Sequence, residues 1–317
     1  MTTRIQGRTV PQSLEAPPVY HRWEAFRGRI ALKYGLTFGR ARREHWKQHI
    51  VLPLRNRILG HRPVSVKLDG ITLRLAPVEA TAAYLWGMRG AEIHQLRLLL
   101  RFLVPGQAFI DVGSNAGLFA IAIAKKIGQE KVYAFETSEE RFQLLQRHLD
   151  MNAATHLLAM RSAFGDRVGE TTLPDESWNF DEVYWAPKPN AHPAQQETVP
   201  VTTLDSFVET RAIPRLDAMR LNARGAELNA LQGGSKLLER PDAPLVLCEL
   251  SVRKTSQLGY HPVEPLWFLI DCGYTLFVMD PKTGRLQARQ PNGQYNALIV
   301  AAKSIHMPRL KSLCHSL

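Results

Sequence analysis

Residues 108–136 read AFIDVGSNAGLFAIAIAKKIGQEKVYAFE and combine two short apolar runs, a glycine-containing loop and a longer apolar stretch. The first run, Ala108 to Ile110, predicts a buried strand that stops at Asp111. The stretch from Leu118 to Ile127 predicts a helix, and the run from Val132 to Phe135 predicts a second strand that is followed by Glu136. Strand, loop, helix, strand and acid in this order form one half of a nucleotide-binding α/β sheet. We therefore expect a nucleoside cofactor at the loop, where the helix offers backbone N–H groups.

The spacing inside the loop narrows the kind of cofactor. The dinucleotide fingerprint is G-x-G-x-x-G, whereas the pattern here is Asp111-x-Gly113-x-x-x-Gly117, with Asn115 between the two glycines. An acid at position 111 would repel a pyrophosphate but suits an ammonium group. The stretch resembles the first motif of the Rossmann-like, class I methyltransferases, whose cofactor S-adenosylmethionine carries an ammonium group, a ribose and an adenine. On the residues alone, a tight turn beside unrelated surface acids is the alternative.

Length and composition predict a cytoplasmic globular protein. The 317 residues are enough to bury a substantial core, and no apolar run approaches the ~20 residues of a membrane-spanning helix. The polar N-terminal stretch lacks the apolar centre of a secretory signal. Cys248, Cys272 and Cys314 are odd in number and widely spaced, which indicates neither a disulfide framework nor a metal-ligand cluster. A reducing cytoplasm suits this cysteine content.

The net charge of +11 is concentrated near the N-terminus, since residues 21–62 hold eleven Lys or Arg and two Glu. Residues 1–18 are polar and contain prolines, and we expect them to be flexible. Residues 19–60 predict one or two basic helices, in which Trp46, Ile50 and Leu54 recur every four residues. Three interpretations stay open: a helix packed on the main domain with a solvated basic face, contact with an anionic membrane surface, and nucleic-acid binding, which no recognition module supports.

The remaining chain predicts strands that alternate with helices. Residues 64–75 predict a hairpin around Asp69-Gly70, and residues 91–104 an amphipathic helix. Further strands are predicted at 157–164, 217–221, 244–250, 274–279 and 295–301, with helices at 138–152, 225–238 and 262–272. This order predicts a mostly parallel sheet with helices on both faces. We divide the chain into a basic N-terminal extension (1–62), a Rossmann-like domain (63–303) and a tail (304–317).

The order of the motifs from about Val64 to Val300, roughly three quarters of the chain, resembles the FkbM family of S-adenosylmethionine-dependent methyltransferases. The stretches that carry the resemblance are PGQAFIDVGSNAGLFA, VYAFETSEERFQLLQRHLDMN, AFGDRVGE, VPVTTLDSF, MRLNARGAELNALQGG and LVLCELS. The resemblance implies a seven-stranded sheet and transfer of a methyl group, usually to oxygen. The acceptors it implies are sugars, glycolipids or polyketide-type natural products.

One motif departs from the family. The family pattern after the fourth strand is I-D-V-E-G-A-E, whereas this chain has L-N-A-R-G-A-E over residues 221–227. Asn222 and Arg224 therefore replace two acids, while Glu227 is retained. An amide forms hydrogen bonds but holds no negative charge, and Arg224 reverses a charge near the expected reaction centre. The change motivates two alternatives to ordinary transfer: a protein that binds without catalysis, and an enzyme whose Arg224 holds an anionic acceptor.

The positions at strand ends imply a cofactor site. Asp111 would face the methionyl ammonium group, directly or through water, and the loop backbone would pass beneath the same moiety. Glu136 would accept the two ribose hydroxyls. The adenine would meet Asp166 or the backbone nearby, although a plain turn acid is the alternative for Asp166. The full set of predicted cofactor residues is Asp111, Gly113, Ser114, Asn115, Gly117, Glu136, Thr137, Ala163, Phe164, Asp166 and Asn222.

Methyl transfer to a hydroxyl needs an aligned acceptor and a base. Asp205, Glu227, Glu249 and His261 are the bases we consider, and Asn222 and Arg224 complete the predicted catalytic set. Glu249 ends a predicted strand. For Asp205 the alternative role is to cap a helix, and for His261 it is to begin one. The histidines have no ligand spacing, so we expect no metal. The partners we expect are a small-molecule, glycan or glycolipid acceptor and, through residues 21–62, an anionic membrane surface; a homo-oligomer is also compatible with the sequence.

Overall fold

The computed structural model describes residues 2–5, 8–11, 64–68, 71–75, 91–173, 197–251, 255, 258–288 and 297–314. The chain divides into two compact units, Met1–His61 and Arg62–Leu317. In the first unit, strand β1 (Thr2–Ile5) pairs antiparallel with β2 (Arg8–Pro11). The β-branched residues of TTRI and RTVP favour the extended backbone, and the expected flexibility of this segment stays a prediction. The predicted basic helices lie outside the described residues, so their contact with an anionic surface stays a prediction.

The second unit begins with the predicted hairpin, formed by β3 (Val64–Leu68) and β4 (Ile71–Leu75). Its elements then follow in the order α1 (Ala91–Phe102), β5 (Phe109–Val112), α2 (Leu118–Ile127), β6 (Val132–Phe135), α3 (Glu139–Met151), β7 (Leu158–Met160), β8 (Ala163–Phe164), β9 (Gly169–Thr172), β10 (Thr198–Thr202), α4 (Leu204–Thr210), β11 (Ala218–Leu221), α5 (Glu227–Gln232), α6 (Ser235–Glu239), β12 (Leu245–Leu250), α7 (Glu264–Asp271), β13 (Thr275–Met279), β14 (Leu286–Ala288), β15 (Ala297–Ala302) and α8 (Met307–Cys314).

A large mixed sheet organises this unit. Among the described residues it has eight strands in the order β14-β13-β15-β12-β11-β5-β6-β7. The five strands from β12 to β7 are parallel, whereas β15 runs antiparallel to both β12 and β13. The predicted α/β fold with a mostly parallel Rossmann-like sheet is therefore confirmed. The short strand β14 extends the expected seven strands at one edge.

Two elements differ from their prediction. The single strand expected at 157–164 is divided between the large sheet and a small one of order β8-β10-β9. Arg161 lies at the division, and its guanidinium pairs with Glu139 and Glu197. The helix expected at 225–238 is two short helices. The break falls at Gly233, where a Cβ atom would lie 2.0 Å from the carbonyl oxygen of Gly165.

The core surrounds α2, which is buried on nearly every side and separates the large sheet from the hairpin. The hairpin is held to α3 by one amide side chain. Asn152 accepts the backbone N–H of Arg74 at 2.8 Å and donates to the carbonyl oxygen of the same residue at 2.6 Å. This side chain therefore bonds β4 as a neighbouring strand would. No described helix is long and apolar enough to cross a membrane.

Candidate active site

The carboxyl ends of β6, β5 and β11 lie side by side at one edge of the large sheet. The chain passes from β5 to β6 on one side and reaches β11 on the other side later, so the strand order reverses at β5. Ligands of open α/β sheets bind outside the carboxyl ends of the strands at such a reversal. The predicted residues Asp111, Glu136, Asn222 and Glu249 come from β5 to β12 and are brought to this edge by the sheet register.

The glycine loop between β5 and α2 uses its N–H groups within the protein. Gly113 and Ser114 both donate to the carbonyl oxygen of Phe135, at 2.9 and 2.8 Å, and Gly117 donates to that of Ser114 at 2.9 Å. Asn115 donates to the Glu136 carboxylate at 2.8 Å. A pyrophosphate needs several unused N–H groups pointing at it, so this loop is not a pyrophosphate cradle. That agrees with the missing middle glycine in the sequence.

Steric contact explains the two glycines. Gly113 has a φ of 73°, and a Cβ atom there would lie 2.0 Å from the carbonyl oxygen of Asn222. Gly117 has a φ of 81°, and its Cβ atom would lie 2.4 Å from Leu145 of α3. The loop is therefore pressed against the end of β11 on one side and against α3 on the other. Asn115, with a φ of 52°, also adopts the left-handed backbone that asparagine tolerates better than most residues.

Asp111 does not lie where we expected. Its side chain is fully buried, and its carboxylate accepts a hydrogen bond from Ser114 Oγ at 2.8 Å and an ion pair from Arg220 Nη1 at 3.0 Å. A carboxylate with these partners has no exposed surface for a methionyl ammonium group. In the structure, Asp111 holds the glycine loop and a buried arginine, and its contact with the methionyl ammonium group, directly or through water, stays a prediction.

Arg220 was missed by the sequence reasoning. It lies in β11 directly opposite Asp111 in β5, is 6% exposed, and donates to the Gly113 carbonyl oxygen at 3.3 Å. Its guanidinium also stacks on Phe119 of α2, 4.1 Å from the ring centroid. Burial lowers the pKa of Arg220, but the charges of Asp111 and two further carboxylates outweigh burial and leave that pKa raised. An arginine inside the otherwise apolar strand AMRL, in register with an acid, was the available indication.

Glu136 organises the backbone of two neighbouring turns. Its carboxylate accepts N–H groups from Asn115 at 2.8 Å, Thr137 at 2.9 Å and Ser138 at 3.0 Å, and the side chain is 4% exposed. An ionised carboxylate has about four lone-pair sites, so about one site remains for a ligand hydroxyl. The predicted contact with two ribose hydroxyls thus competes with the N–H groups that fix the loop and the start of α3.

The predicted adenine side lies at the start of the small sheet. Ala163 and Phe164 form β8, and the Phe164 ring packs 4.3 Å from that of Phe135 and 6.0 Å from that of Phe207. Asp166 is exposed in the following turn. The aromatic cluster is buried and lies next to Glu136 in the chain. The direct contact of Asp166 with a base stays a prediction.

A polar pair connects the ends of β11 and β12. Asn222 Nδ2 donates to Glu249 Oε2 at 3.2 Å, and Glu249 is exposed. Because the Asn222 carbonyl oxygen lies against Gly113, this pair stands next to the glycine loop. The structure therefore brings together two of the six residues considered for catalysis, Asn222 and Glu249.

The turn after Asn222 presents Arg224 at the surface. Arg224 is exposed and has a φ of 54°, and Gly225 follows with a φ of 109°. Glu227 is 1% exposed and accepts the N–H of Gly225 at 3.1 Å. The hydroxyl of Tyr260 donates to the Gly225 carbonyl oxygen, and burial followed by the Glu227 charge raises the pKa of Tyr260, which keeps this donor protonated. Glu227 thus stabilises the turn and is not placed as an exposed base.

Asp205 and His261 have structural roles. The Asp205 carboxylate accepts the N–H groups of Lys236 at 3.1 Å and Leu237 at 2.9 Å, so it caps α6, not the helix that follows it in sequence. His261 Nδ1 accepts the N–H of Val263 at 3.2 Å, in the turn that begins α7. Burial lowers the pKa of His261 and keeps the ring neutral for this role. The contacts of both residues are those of helix-terminal residues, and their role as bases stays a prediction.

A buried histidine that the sequence reasoning also missed fixes the glycine loop from α3. His148 Nδ1 donates to the Ala116 carbonyl oxygen at 2.7 Å, and burial lowers the pKa of this ring. Among the described residues, no three His, Cys, Asp or Glu side chains cluster in a metal-binding arrangement.

The charges at this edge suit a cationic cofactor. Asp111 and Arg220 cancel within their ion pair, while the Glu136 and Glu249 carboxylates lie on opposite sides of β5. Two carboxylates at this edge suit a ligand that carries a sulfonium and an ammonium group, and the remaining acceptor site of Glu136 suits a ribose hydroxyl. These carboxylates fit the positive charge of S-adenosylmethionine, whereas they would repel a pyrophosphate.

A sequence model of the methyltransferase FkbM domain matches residues 111–276, which is more than half of the chain. The chain belongs to the FkbM methyltransferase family. The resemblance drawn from the motifs is thereby confirmed, and so is S-adenosylmethionine as the cofactor. The family match includes the glycine loop, Glu136, the Asn222–Arg224 turn and Glu249.

Individual relatives of this FkbM-family chain are distant. Methyltransferase 1 from Beauveria bassiana (strain ARSEF 2860) is 27% identical over 148 residues, which cover 41% of this chain and 59% of that protein. A methyltransferase from Pyrococcus furiosus is similar at 15% identity, with 81% of this chain and 99% of that chain covered and a TM-score of 0.37. M. jannaschii TYW2 in complex with AdoMet is similar at 13% identity, covering 76% and 84% with a TM-score of 0.34.

Proposed function

We propose that this chain transfers a methyl group from S-adenosylmethionine to a hydroxyl oxygen of a sugar, glycolipid or natural product. The observation that carries the proposal is the hydrogen bond of 3.2 Å from Asn222 Nδ2 to the exposed carboxylate of Glu249, at the sheet edge next to the glycine loop. A carboxylate that is oriented by an amide and open to solvent is suited to take the proton of an acceptor hydroxyl.

Each residue at the edge has a separate role in this proposal. The bound cofactor supplies an electrophilic methyl group on a sulfonium. The loop from Gly113 to Gly117 and the Glu136 carboxylate would hold it. Glu249 uses Oε2 for Asn222 and keeps Oε1 to accept the hydroxyl proton of the acceptor, so orientation and proton removal act on the same oxygen of the substrate.

The proposal gives a physical reason for Asn222. An aspartate at this position would place two carboxylates within about 3 Å, and such a pair shares a proton because the charges repel. The Asn222 amide donates a hydrogen bond where an acid would repel the Glu249 carboxylate, and it therefore keeps Glu249 oriented. The loss of the family's first acid is, in this proposal, a transfer of the base from the end of β11 to the end of β12.

The test measures transfer of an isotope-labelled methyl group to a panel of hydroxyl-bearing sugars, glycolipids and natural products. Glu249→Gln should lower kcat about 10²- to 10⁴-fold while the calorimetric Kd for S-adenosylmethionine changes less than about threefold. Asn222→Asp should move the acidic limb of the pH–rate profile to higher pH, because the paired carboxylates retain a proton. Glu170→Gln, an exposed change in β9, serves as the matched control.

Three results would decide against the proposal. Turnover that is undiminished in Glu249→Gln removes Glu249 as the base. Binding of S-adenosylmethionine without turnover of any hydroxyl acceptor favours the alternative of a binding or scaffold protein. An absence of cofactor binding by the wild type contradicts the proposed activity altogether.

A second candidate, an anionic acceptor, is favoured by the exposure of Arg224 in the turn that Glu227 and Tyr260 hold. A guanidinium binds phosphate, sulfate or carboxylate through two parallel hydrogen bonds. Arg224→Asn keeps a residue that tolerates the left-handed backbone. It should raise KM for a phosphorylated acceptor about 10- to 100-fold and leave KM for its neutral counterpart unchanged. Equal effects on both acceptors would exclude this role.

A further inference from the structure

The Arg220 side chain contacts three separate segments near the carboxyl ends of the strands. Its Nη1 atom contacts both Asp111 Oδ1 at 3.0 Å and the Gly113 carbonyl oxygen at 3.3 Å, while the guanidinium plane covers the Phe119 ring at 4.1 Å. The Arg220 side chain therefore contacts the C-terminal half of β5, the glycine loop and the first turn of α2. These are the three segments that form one wall of the cofactor site.

Burying the Arg220–Asp111 ion pair costs desolvation free energy. The side chains of Arg220 and Asp111 are 7% and 0% exposed, and Arg220 Nε has no hydrogen-bond partner among the described residues. A buried ion pair adds little net stability compared with a well-packed apolar pair of the same volume. Its retention under the loop that receives the cofactor points to a role in placing that loop.

We propose that Arg220 is a positioning residue for the cofactor, which acts through Asp111 and the Gly113 carbonyl oxygen to hold the glycine loop and to cancel the Asp111 charge. The inference rests on the proposed binding of S-adenosylmethionine. It implies that no unpaired buried charge lies next to the methionyl end of the ligand. This holds for the cofactor, which has a net positive charge, and for its product S-adenosylhomocysteine, a zwitterion without net charge.

The charge balance gives a measurement that a merely structural residue would not change. S-adenosylmethionine carries one more positive charge than S-adenosylhomocysteine. Removing Arg220 alone leaves the Asp111 carboxylate without its cation, which favours the cofactor over the product. Removing both charges again leaves no unpaired buried charge, but the contact of Arg220 with the glycine loop stays lost. The ratio of the two affinities therefore reports the charge, and their absolute values report the position of the loop.

The experiment compares Arg220→Met, Arg220→Met with Asp111→Asn, and Arg220→Lys by calorimetry with both ligands and by thermal unfolding. Arg220→Met should lower Tm by about 5–15 °C, weaken both ligands about 10- to 100-fold, and shift the affinity ratio about three- to tenfold toward the cofactor. The double variant should recover most of the Tm and the wild-type ratio, while both ligands stay weak. Arg220→Lys keeps the charge and should recover the ratio with partial affinity.

Arg215→Met is the matched control, because Arg215 pairs with Asp217 at 3.1 Å just before the same strand begins. It should leave both affinities unchanged. If the double variant regains wild-type affinity together with its Tm, Arg220 is merely structural and the inference is wrong. Tighter cofactor binding by Arg220→Met would also overturn it, since Asp111 would then meet the ammonium directly. If the wild type binds neither ligand, the proposed function itself fails, which the variants alone would not show.

Discussion

Replacing Glu136 with glutamine removes one acceptor oxygen from a carboxylate that is used by three backbone N–H groups. Asn115 donates to Oε2 at 2.8 Å, while Thr137 and Ser138 donate to Oε1 at 2.9 and 3.0 Å. A glutamine amide can keep its oxygen toward Thr137 and Ser138 only by turning its NH₂ group toward the N–H of Asn115. We expect a buried unsatisfied donor, which costs about 1–3 kcal/mol, and weaker bonds to the other two groups. The sum is about 2–4 kcal/mol.

This prediction is tested by unfolding and by native-state hydrogen exchange. A loss of this size corresponds to a fall in Tm of about 5–15 °C, and the Asn115 amide should exchange faster while that of Gly117, which bonds to Ser114, changes less. Binding of S-adenosylmethionine should weaken as well. Glu170→Gln, exposed in β9, should leave Tm within about 1 °C. An unchanged Tm with unchanged protection of Asn115 would refute the assignment of Glu136 as the acceptor that fixes the loop.

Three further predictions follow from particular contacts. Asp205→Ala should cost about 1–2 kcal/mol of stability by uncapping α6, yet keep kcat within about threefold; a loss of kcat beyond 10²-fold would return Asp205 to the bases. Gly113→Ala should lower stability by more than about 2 kcal/mol, because its Cβ atom would lie 2.0 Å from the Asn222 carbonyl oxygen; a wild-type Tm would contradict this contact. Burial lowers the pKa of His306 to about 4. The unfolded chain therefore takes up this proton first as the pH falls below ~6.5, and about 3 kcal/mol of stability should be lost by pH 4. Denaturant unfolding of His306→Gln should show a weaker pH dependence than wild type, whereas exposed His156→Gln should not.

The elements with a strong local pattern were predictable. The strand, glycine loop, helix and acid of residues 108–136 follow from the alternation of apolar runs with small residues, and the structure has β5, α2 and β6 within a residue or two of the expected bounds. The hairpin around Asp69-Gly70 is confirmed for the same reason. The prediction was wrong where contacts between residues distant in sequence determine the course of the chain. The strand at 157–164 is divided between two sheets at Arg161, which pairs with acids on α3 and before β10, and no local pattern indicates these contacts.

The candidate site likewise has features that the sequence predicts and features that only the tertiary structure determines. By itself the sequence determined the fold class, the family and the strand ends at which ligands bind, because periodicity, loop spacing and motif order are properties of neighbouring residues. Only the tertiary structure decided what each charged side chain does. Register places Arg220 opposite Asp111 and converts an expected ligand contact into a buried ion pair. The packing of α4 on α6 makes Asp205 a cap, and the parallel pairing of β11 with β12 brings Asn222 to Glu249. The energy of a charge depends on its burial and on its partner, and both are fixed only when distant segments meet.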